Sequence, residues 1–223
     1  MQFCIRQWAA AAAGMAPIDA ATPALLRRRV TPLGQLALKA AWSLPECAAS
    51  RIVVSSRHGE YRRTLSILEA LADEAEISPA DFTLSVHNAL AGLLSIALGN
   101  QLGHVAMAAG PDSFCFGLME ALACVADRPW EPVILLHYDE KLPGAYETFA
   151  DADDGSEVLA LVLAADGPGE AFGFAAAPLS ESHPLPGSPV RDFLHFLLEA
   201  SQDELVLRGK SLKFRWWRHA QAH

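Results

Sequence analysis

Three stretches of this chain hold nucleophile, base or acid side chains close enough in sequence to share a site. In the first, His87 follows Ser85 and Val86 and precedes Asn88, directly ahead of an apolar run that reads as a helix. The start of a helix carries partial positive charge and biases the pKa of a nearby group, so His87 is a candidate general base. The structural alternative has Asn88 or Ser85 capping the helix while His87 bonds a loop carbonyl. In the second stretch, Gly110, Pro111, Asp112, Ser113 and Cys115 lie between a strand pattern and a helix pattern. A strand–turn–helix elbow there would lift a nucleophile to the top of a sheet, but the G-x-S-x-G that marks such an elbow is absent. Ser113 therefore also reads as an N-cap, and Cys115 as a core residue. The third stretch is His137-Tyr138-Asp139-Glu140, at the carboxyl end of a strand pattern, the edge where open α/β sheets place ligands. Ser56-Arg57-His58-Gly59-Glu60 takes the same position after an earlier strand. Adjacent strand residues point to opposite faces, so Asp139 and Glu140 do not form a facing acid/base pair. The chain has no G-x-G-x-x-G, no P-loop, no H-E-x-x-H and no C-x-x-C. No metal or cofactor is expected.

The elements that must position these residues are marked by clear signals. Thr31-Pro32 is an N-cap followed by proline at the first helical position, with Leu33, Ala37, Ala40 and Leu44 on one face. Residues 51–56 read as a buried β-branched strand, residues 60–75 as an amphipathic helix, and Ser78-Pro79 as the opening of a short helix or turn. Residues 89–98 read as an apolar helix in which Gly92 costs about 1 kcal/mol relative to alanine, a cost that close packing against another backbone would explain. A strand at 105–109, a helix at 113–127 and a strand at 133–138 follow. An acidic turn at 151–156 leads into strands at 157–164 and 171–178, expected to pair as a hairpin across Asp166-Gly167-Pro168-Gly169. A loop at 184–187, a helix opened by Ser188-Pro189 and a closing strand at 213–216 complete the chain. The N-terminal segment, with Arg6 and the alanine run 9–13, superficially suggests an export signal. Phe3, Ile5 and Trp8 read instead as a strand.

Composition narrows the function classes. At 223 residues, with 52% hydrophobic and 19% charged residues, the chain supports a substantial core and is neither disordered nor a coiled coil. Acidic residues outnumber basic ones 26 to 17, for a formal net charge of −9, which argues against a nucleic-acid partner. Apolar runs stop short of a membrane span. Cys4, Cys47, Cys115 and Cys124 are scattered, as reduced thiols would be, and a cytoplasmic location is expected.

Longer stretches carry a family resemblance. Residues 26–41, LRRRVTPLGQLALKAA, resemble the first long helix of β-ketoacyl synthases. Ser56-Arg57-His58-Gly59-Glu60 and residues 82–92, FTLSVHNALAG, resemble the short ketosynthase-like proteins often called chain-length factors, which accompany true synthases in clusters for aryl polyene and xanthomonadin-type pigments. Tyr138-Asp139-Glu140-Lys141-Leu142-Pro143 and Phe214-Arg215-Trp216-Trp217 fit the same short family, and the Ser85-Val86-His87-Asn88-Ala89 motif is the most specific part. The resemblance implies an α/β, thiolase-like half-fold, with a mixed, mostly parallel five-stranded sheet covered by helices on both faces. It implies one domain over residues 1–223, in which 1–150 form the core and 151–223 add the hairpin, helix and closing strand.

A complete condensing enzyme has two such halves, with a nucleophilic cysteine in the first and two catalytic histidines in the second. By the resemblance, Gly110, Pro111 and Asp112 form a pseudo-active site, and Pro111 stands at the nucleophile's place. The resemblance therefore implies a non-catalytic accessory subunit, paired with itself or with a full-length ketosynthase and in reach of an acyl carrier protein. Gly92, His104 and Met107 are the implied partner contacts, although the same residues would also fill the chain's own core. The competing expectation is a small thioester hydrolase or acyl transferase using Cys115 or Ser113, with His87 or His137 as base. A third is a carrier-docking module, whose net charge is unfavourable unless Arg27, Arg28 and Arg29 form a local basic patch.

Overall fold

A computed structural model describes residues 1–12, 15–20, 23–150, 157–179 and 187–219. The acidic turn at 151–156, most of the loop at 184–187 and the end of the alanine run lie outside the described residues. The chain forms strand β1 (Gln2–Ala11), helices α1 (Ala24–Arg27) and α2 (Pro32–Trp42), strand β2 (Arg51–Ser55), helices α3 (Tyr61–Ala72), α4 (Pro79–Leu84) and α5 (Ala89–Leu98), and strand β3 (His104–Met107). It continues with helix α6 (Ser113–Asp127), strands β4 (Val133–Tyr138), β5 (Val158–Ala164) and β6 (Glu170–Pro178), helix α7 (Pro189–Leu198), and strands β7 (Glu204–Arg208) and β8 (Leu212–Arg218). The two clearest helix starts form as their sequences require. Thr31 Oγ accepts from Gly34 N at 3.1 Å and Ser188 Oγ from Arg191 N at 3.4 Å, each with proline next in the chain.

One sheet runs through the molecule in the order β3-β2-β4-β5-β1-β6-β8-β7. The α/β class and the helices on both faces agree with expectation, but the sheet has eight strands among the described residues, not five. Only the β2–β3 and β2–β4 pairs are parallel, and the other five are antiparallel. The hairpin expectation is also corrected, because β5 and β6 do not pair with each other. β1 lies between them, with Trp8 opposite Leu161 and Phe3 opposite Phe172. The turn after β5 straddles it, with Arg6 donating through Nε and Nη2 to the Asp166 carbonyl at 3.1 and 2.9 Å. The ladder between β1 and β5 slips between Ile5 and Gln7, at Arg6. β5 and β6 both run antiparallel to β1 and therefore parallel to each other, so the short connection crosses β1 without reversing the chain and no hairpin can form. The short strand β7 carries no strong strand signal. It forms because Leu205 and Leu207 bury against the sheet while β8 supplies its hydrogen bonds.

Strand alternation divides the core into two layers. Ile52 and Val54 of β2, Ile134, Leu136 and Tyr138 of β4, and Val158, Ala160 and Val162 of β5 pack with α2 and α5. Val53, Leu135 and Leu161 face the opposite way, toward α6, α7 and the aromatic cluster of Phe172, Phe193, Phe214 and Trp216. All four cysteines are free and buried. Among the described residues, no helix is long and apolar enough to cross a membrane.

Candidate functional site

The parallel part of the sheet brings all three sequence stretches to one edge. Register places Ser55 beside both Met107 and His137, so β2, β3 and β4 end together. Ser55 Oγ and His137 Nδ1 are hydrogen-bonded at 2.8 Å, and His137 Nε2 lies 3.8 Å from Asp139 Oδ2. Asp139 Oδ1 accepts from Ser56 Oγ at 2.9 Å, Arg57 N at 2.6 Å and His58 N at 3.2 Å. Ser56 Oγ in turn accepts from Gly59 N at 2.7 Å. Asp139 is therefore the anchor of the turn after β2, and sequence reasoning missed Ser55 as its partner through His137. Nothing in the sequence distinguishes Ser55 from any other strand-ending serine.

Serine, histidine and aspartate in series invite a nucleophilic reading, but the group is sealed. Ser55 is 0% and His137 4% exposed. The α6 backbone lies on top of Ser55, so closely that a Cβ at Gly117 would overlap the serine Cβ and Oγ. Phe114 covers the His137 ring edge-on at 5.3 Å. Burial, the largest influence, holds the imidazole below its ordinary pKa against the opposing charge of Asp139, so His137 is neutral at pH 7. The arrangement is a clasp between strand ends with no room for a substrate.

His87 reaches the same edge. Its Nε2 lies 3.4 Å from the Met107 carbonyl, and its ring rests on Gly59, whose φ of +57° and missing Cβ leave the space. Neither expected cap is made. Asn88 occupies the N-cap position of α5 without a side-chain bond, and Ser85 donates back to the Phe82 carbonyl at 2.8 Å.

At the strand–turn–helix elbow, Gly110 turns the chain at φ +60° and Pro111 stands exposed at its apex. Asp112 points inward, where Oδ2 accepts from Lys210 N at 2.8 Å in the β7–β8 turn. The Ser113 hydroxyl donates to the Gly110 carbonyl at 2.6 Å and accepts from Ala109 N at 3.0 Å. Cys115 is 1% exposed, and burial pushes its thiol pKa far up, with the Asp112 charge adding to the effect. The apex is thus Pro111, which carries no nucleophile, while Ser113 is engaged within the turn and Cys115 lies in the core.

Beside the elbow, β3 has β2 as its only partner, leaving its outer edge unpaired among the described residues. His104 and Met107 on β3 are half-buried. On α5, a Cβ at Gly92 would meet nothing within 4 Å, so the glycine does not serve packing inside this chain. Val86 and Ile96 expose apolar surface nearby in sequence, Ile96 to 80%.

A second group was not legible as a unit. Glu60, at the N-cap of α3, is buried and accepts from Tyr138 OH at 3.4 Å, while Arg63 joins it at 3.3 Å. Burial, then the charge of Glu140, pushes the Glu60 carboxyl up. Arg63 extends the network to Asp81 at 2.9 Å. Among the described residues, no three histidine, cysteine or acidic side chains are grouped to hold a metal.

Comparison with known proteins gives this geometry a context. Residues 5–217 match the family described as beta-ketoacyl synthase, N-terminal domain. A chain of the ketosynthase ApeO in complex with its chain length factor ApeC, from Xenorhabdus doucetiae, is 29% identical with a TM-score of 0.82, over 98% of this chain and 100% of that one. A chain of the AntDE:AntF complex, a type II acyl-carrier protein with its ketosynthase bound to the hexaketide, shares the fold at 11% identity and TM-score 0.61, over 86% of this chain and 72% of that one. The ishigamide ketosynthase/chain length factor shares it at 16% and 0.50, over 74% of this chain and 54% of that one. No curated protein matches the chain.

Proposed function

Because this chain belongs to the beta-ketoacyl synthase N-terminal-domain family, we propose that it is a non-catalytic, chain-length-factor-like accessory subunit. Its work is type II polyketide- or fatty-acid-like synthesis of aryl polyene pigments, carried out in the cytoplasm beside a full-length ketosynthase. The observation that carries the reading is the elbow after β3. It has the strand–turn–helix form that holds a nucleophile, yet Pro111 occupies its apex and Ser113 and Cys115 are turned to structural use. The likeness to the ApeO–ApeC complex supports the partner role, since the matched chain is covered end to end by a chain of this length.

The unpaired β3 edge and the open face at Gly92 suit that role. A strand edge offers backbone hydrogen bonds to a second subunit, and a helix with a glycine at its centre lets another backbone come close. His104 and Met107 would take part from β3, and pairing of two copies of this chain would use the same surface. The thioester hydrolase or acyl transferase reading finds no support in the site, because Cys115 is sealed and Ser113 has no base within its hydrogen bonds.

Light scattering on the chain copurified with the ketosynthase of its own host tests the proposal. A stable complex of the two is expected. Gly92→Arg, at a position with free space in the single chain, should leave the fold intact and abolish the complex, and Met107→Arg should do the same. A monomer that never captures a ketosynthase, or a complex indifferent to both substitutions, overturns the reading.

A further inference from the structure

β7 closes the sheet at the end opposite β3, with β8 as its only partner among the described residues. Gly209 N donates to the Leu212 carbonyl and Arg218 N to the Asp203 carbonyl, both at 2.9 Å. Antiparallel alternation then turns the N–H and C=O of Leu205 and Leu207 toward β8, and those of Glu204, Val206 and Arg208 outward. The Glu204 carbonyl agrees, since it accepts only from the exposed Gln202 Nε2, at 3.0 Å. The strand is fixed at both ends. Arg218 Nε donates to the Gln202 carbonyl at 3.1 Å before it, and Lys210 N to Asp112 Oδ2 at 2.8 Å after it. A fixed, unpaired edge is a template for another strand.

Charge selects which strand. Asp203 and Glu204 are exposed acids at the start of β7, while Arg208 ends it, with Lys210 following and Lys213 directly opposite on β8. Two cations facing each other across a ladder destabilise it. Among the described residues, no carboxylate lies within ion-pair distance of Arg208 or Lys213, and Glu204 pairs with Arg215 at 2.7 Å. Edge charges of one sign keep copies apart, but here each end carries the opposite sign. Reversed, Glu204-Leu205-Val206-Leu207-Arg208 is its own complement, with acid opposite base at both ends and valine opposite valine. We propose that two copies of this chain join their sheets antiparallel through β7, about a two-fold axis at Val206. Val206 exchanges both backbone bonds with the second copy's Val206, and Glu204 does so with the second copy's Arg208. The carboxylate of each Glu204 then lies beside the other copy's Arg208, and Leu205 meets Leu207 on the core side of the seam. The contact is separate from the β3 edge and does not depend on the accessory-subunit role. With that role, the assembly holds two copies of each subunit.

Sedimentation velocity of the purified chain over a concentration series tests it. The parent should associate reversibly to twice the chain mass. Val206→Pro removes the central outward N–H, which has no bond to β8 to lose, and should leave a monomer with unchanged circular dichroism. Glu204→Arg and Arg208→Glu should each weaken self-association roughly tenfold or more, because like charges then meet at both ends. Mixing these two variants should restore it, as two cations on one chain then face two anions on the other. Structural damage by either substitution cannot give that recovery. Gly92→Arg, at the other edge, should leave self-association intact. A parent chain that stays monomeric throughout the series overturns the inference. So does self-association that survives Val206→Pro, that Gly92→Arg removes, or that the mixed charge variants fail to recover. Ketosynthase capture by the Val206→Pro chain should match the parent, which separates failure of this contact from failure of the accessory-subunit reading.

Discussion

Two neighbouring regions at one sheet edge divide between them what an active site needs together. The clasp of Ser55, His137 and Asp139 has nucleophile, base and acid in series, yet it is closed over by Gly117 and Phe114. The elbow at Gly110–Ser113 has the exposure and the strand–turn–helix shape, yet its apex is Pro111. Residue types without access hold strands together, and access without residue types leaves a surface for something else to meet. The comparison also explains why the clasp tolerates such polar chemistry in a core. Ser55 and His137 bond each other and Asp139 Oδ1 takes donors from Ser56, Arg57 and His58, which offsets much of the cost of burying them.

The sharpest way to break the contrast is to crowd the clasp from above. Gly117→Ala places a methyl group against Ser55 and should destabilise the fold by about 3 kcal/mol. Urea unfolding checks it, and Ser55→Gly in the same chain should return much of the loss, since the two sites couple through that one contact. A smaller effect comes from pH. His137 has its pKa lowered in the fold from an ordinary 6.5, so as the pH falls below that value the unfolded chain takes up a proton that the folded chain refuses. Its contribution to stability is complete above 6.5 and is lost on acidification. In NMR, the His137 ring signals should titrate with a midpoint below the ordinary 6.5. The smallest structural effect belongs to the elbow. Pro111→Cys at the exposed apex should change stability by less than about 0.5 kcal/mol. The substitution should nonetheless create a thiol that reacts with a disulfide reagent in the native state, when Cys115 does not. A folded parent chain whose Cys115 reacts as fast as the thiol introduced by Pro111→Cys would dissolve the distinction between the two regions.

Much of the frame is legible from local signals. Thr31-Pro32 and Ser188-Pro189 announce their helices because capping chemistry is confined to a few residues. The helix at 113–127 and the strand at 133–138 match their sequence patterns to the residue, because their apolar periodicity is strong. The placement of candidate residues at the carboxyl ends of strands also follows from pattern, since each polar stretch directly succeeds a run of strand-forming residues. The weak points are β7, whose Glu204-Leu205-Val206-Leu207-Arg208 has no strand signature apart from its neighbour, and the expected hairpin, whose two strands instead run parallel on either side of β1. The Glu60–Tyr138 contact spans 78 residues and leaves no local mark.

By itself, then, the sequence determined the α/β class, the family and the helix starts, all of which depend on residue identity or on spacing within a few turns. Only the tertiary structure decided that, among the described residues, eight strands share one mostly antiparallel sheet, that Ser55 closes on His137, that Ser113 is consumed by its own turn, and that Gly92 faces open space. Those outcomes depend on which distant segments compete for the same backbone edge or the same volume, and that competition is settled by packing the whole chain.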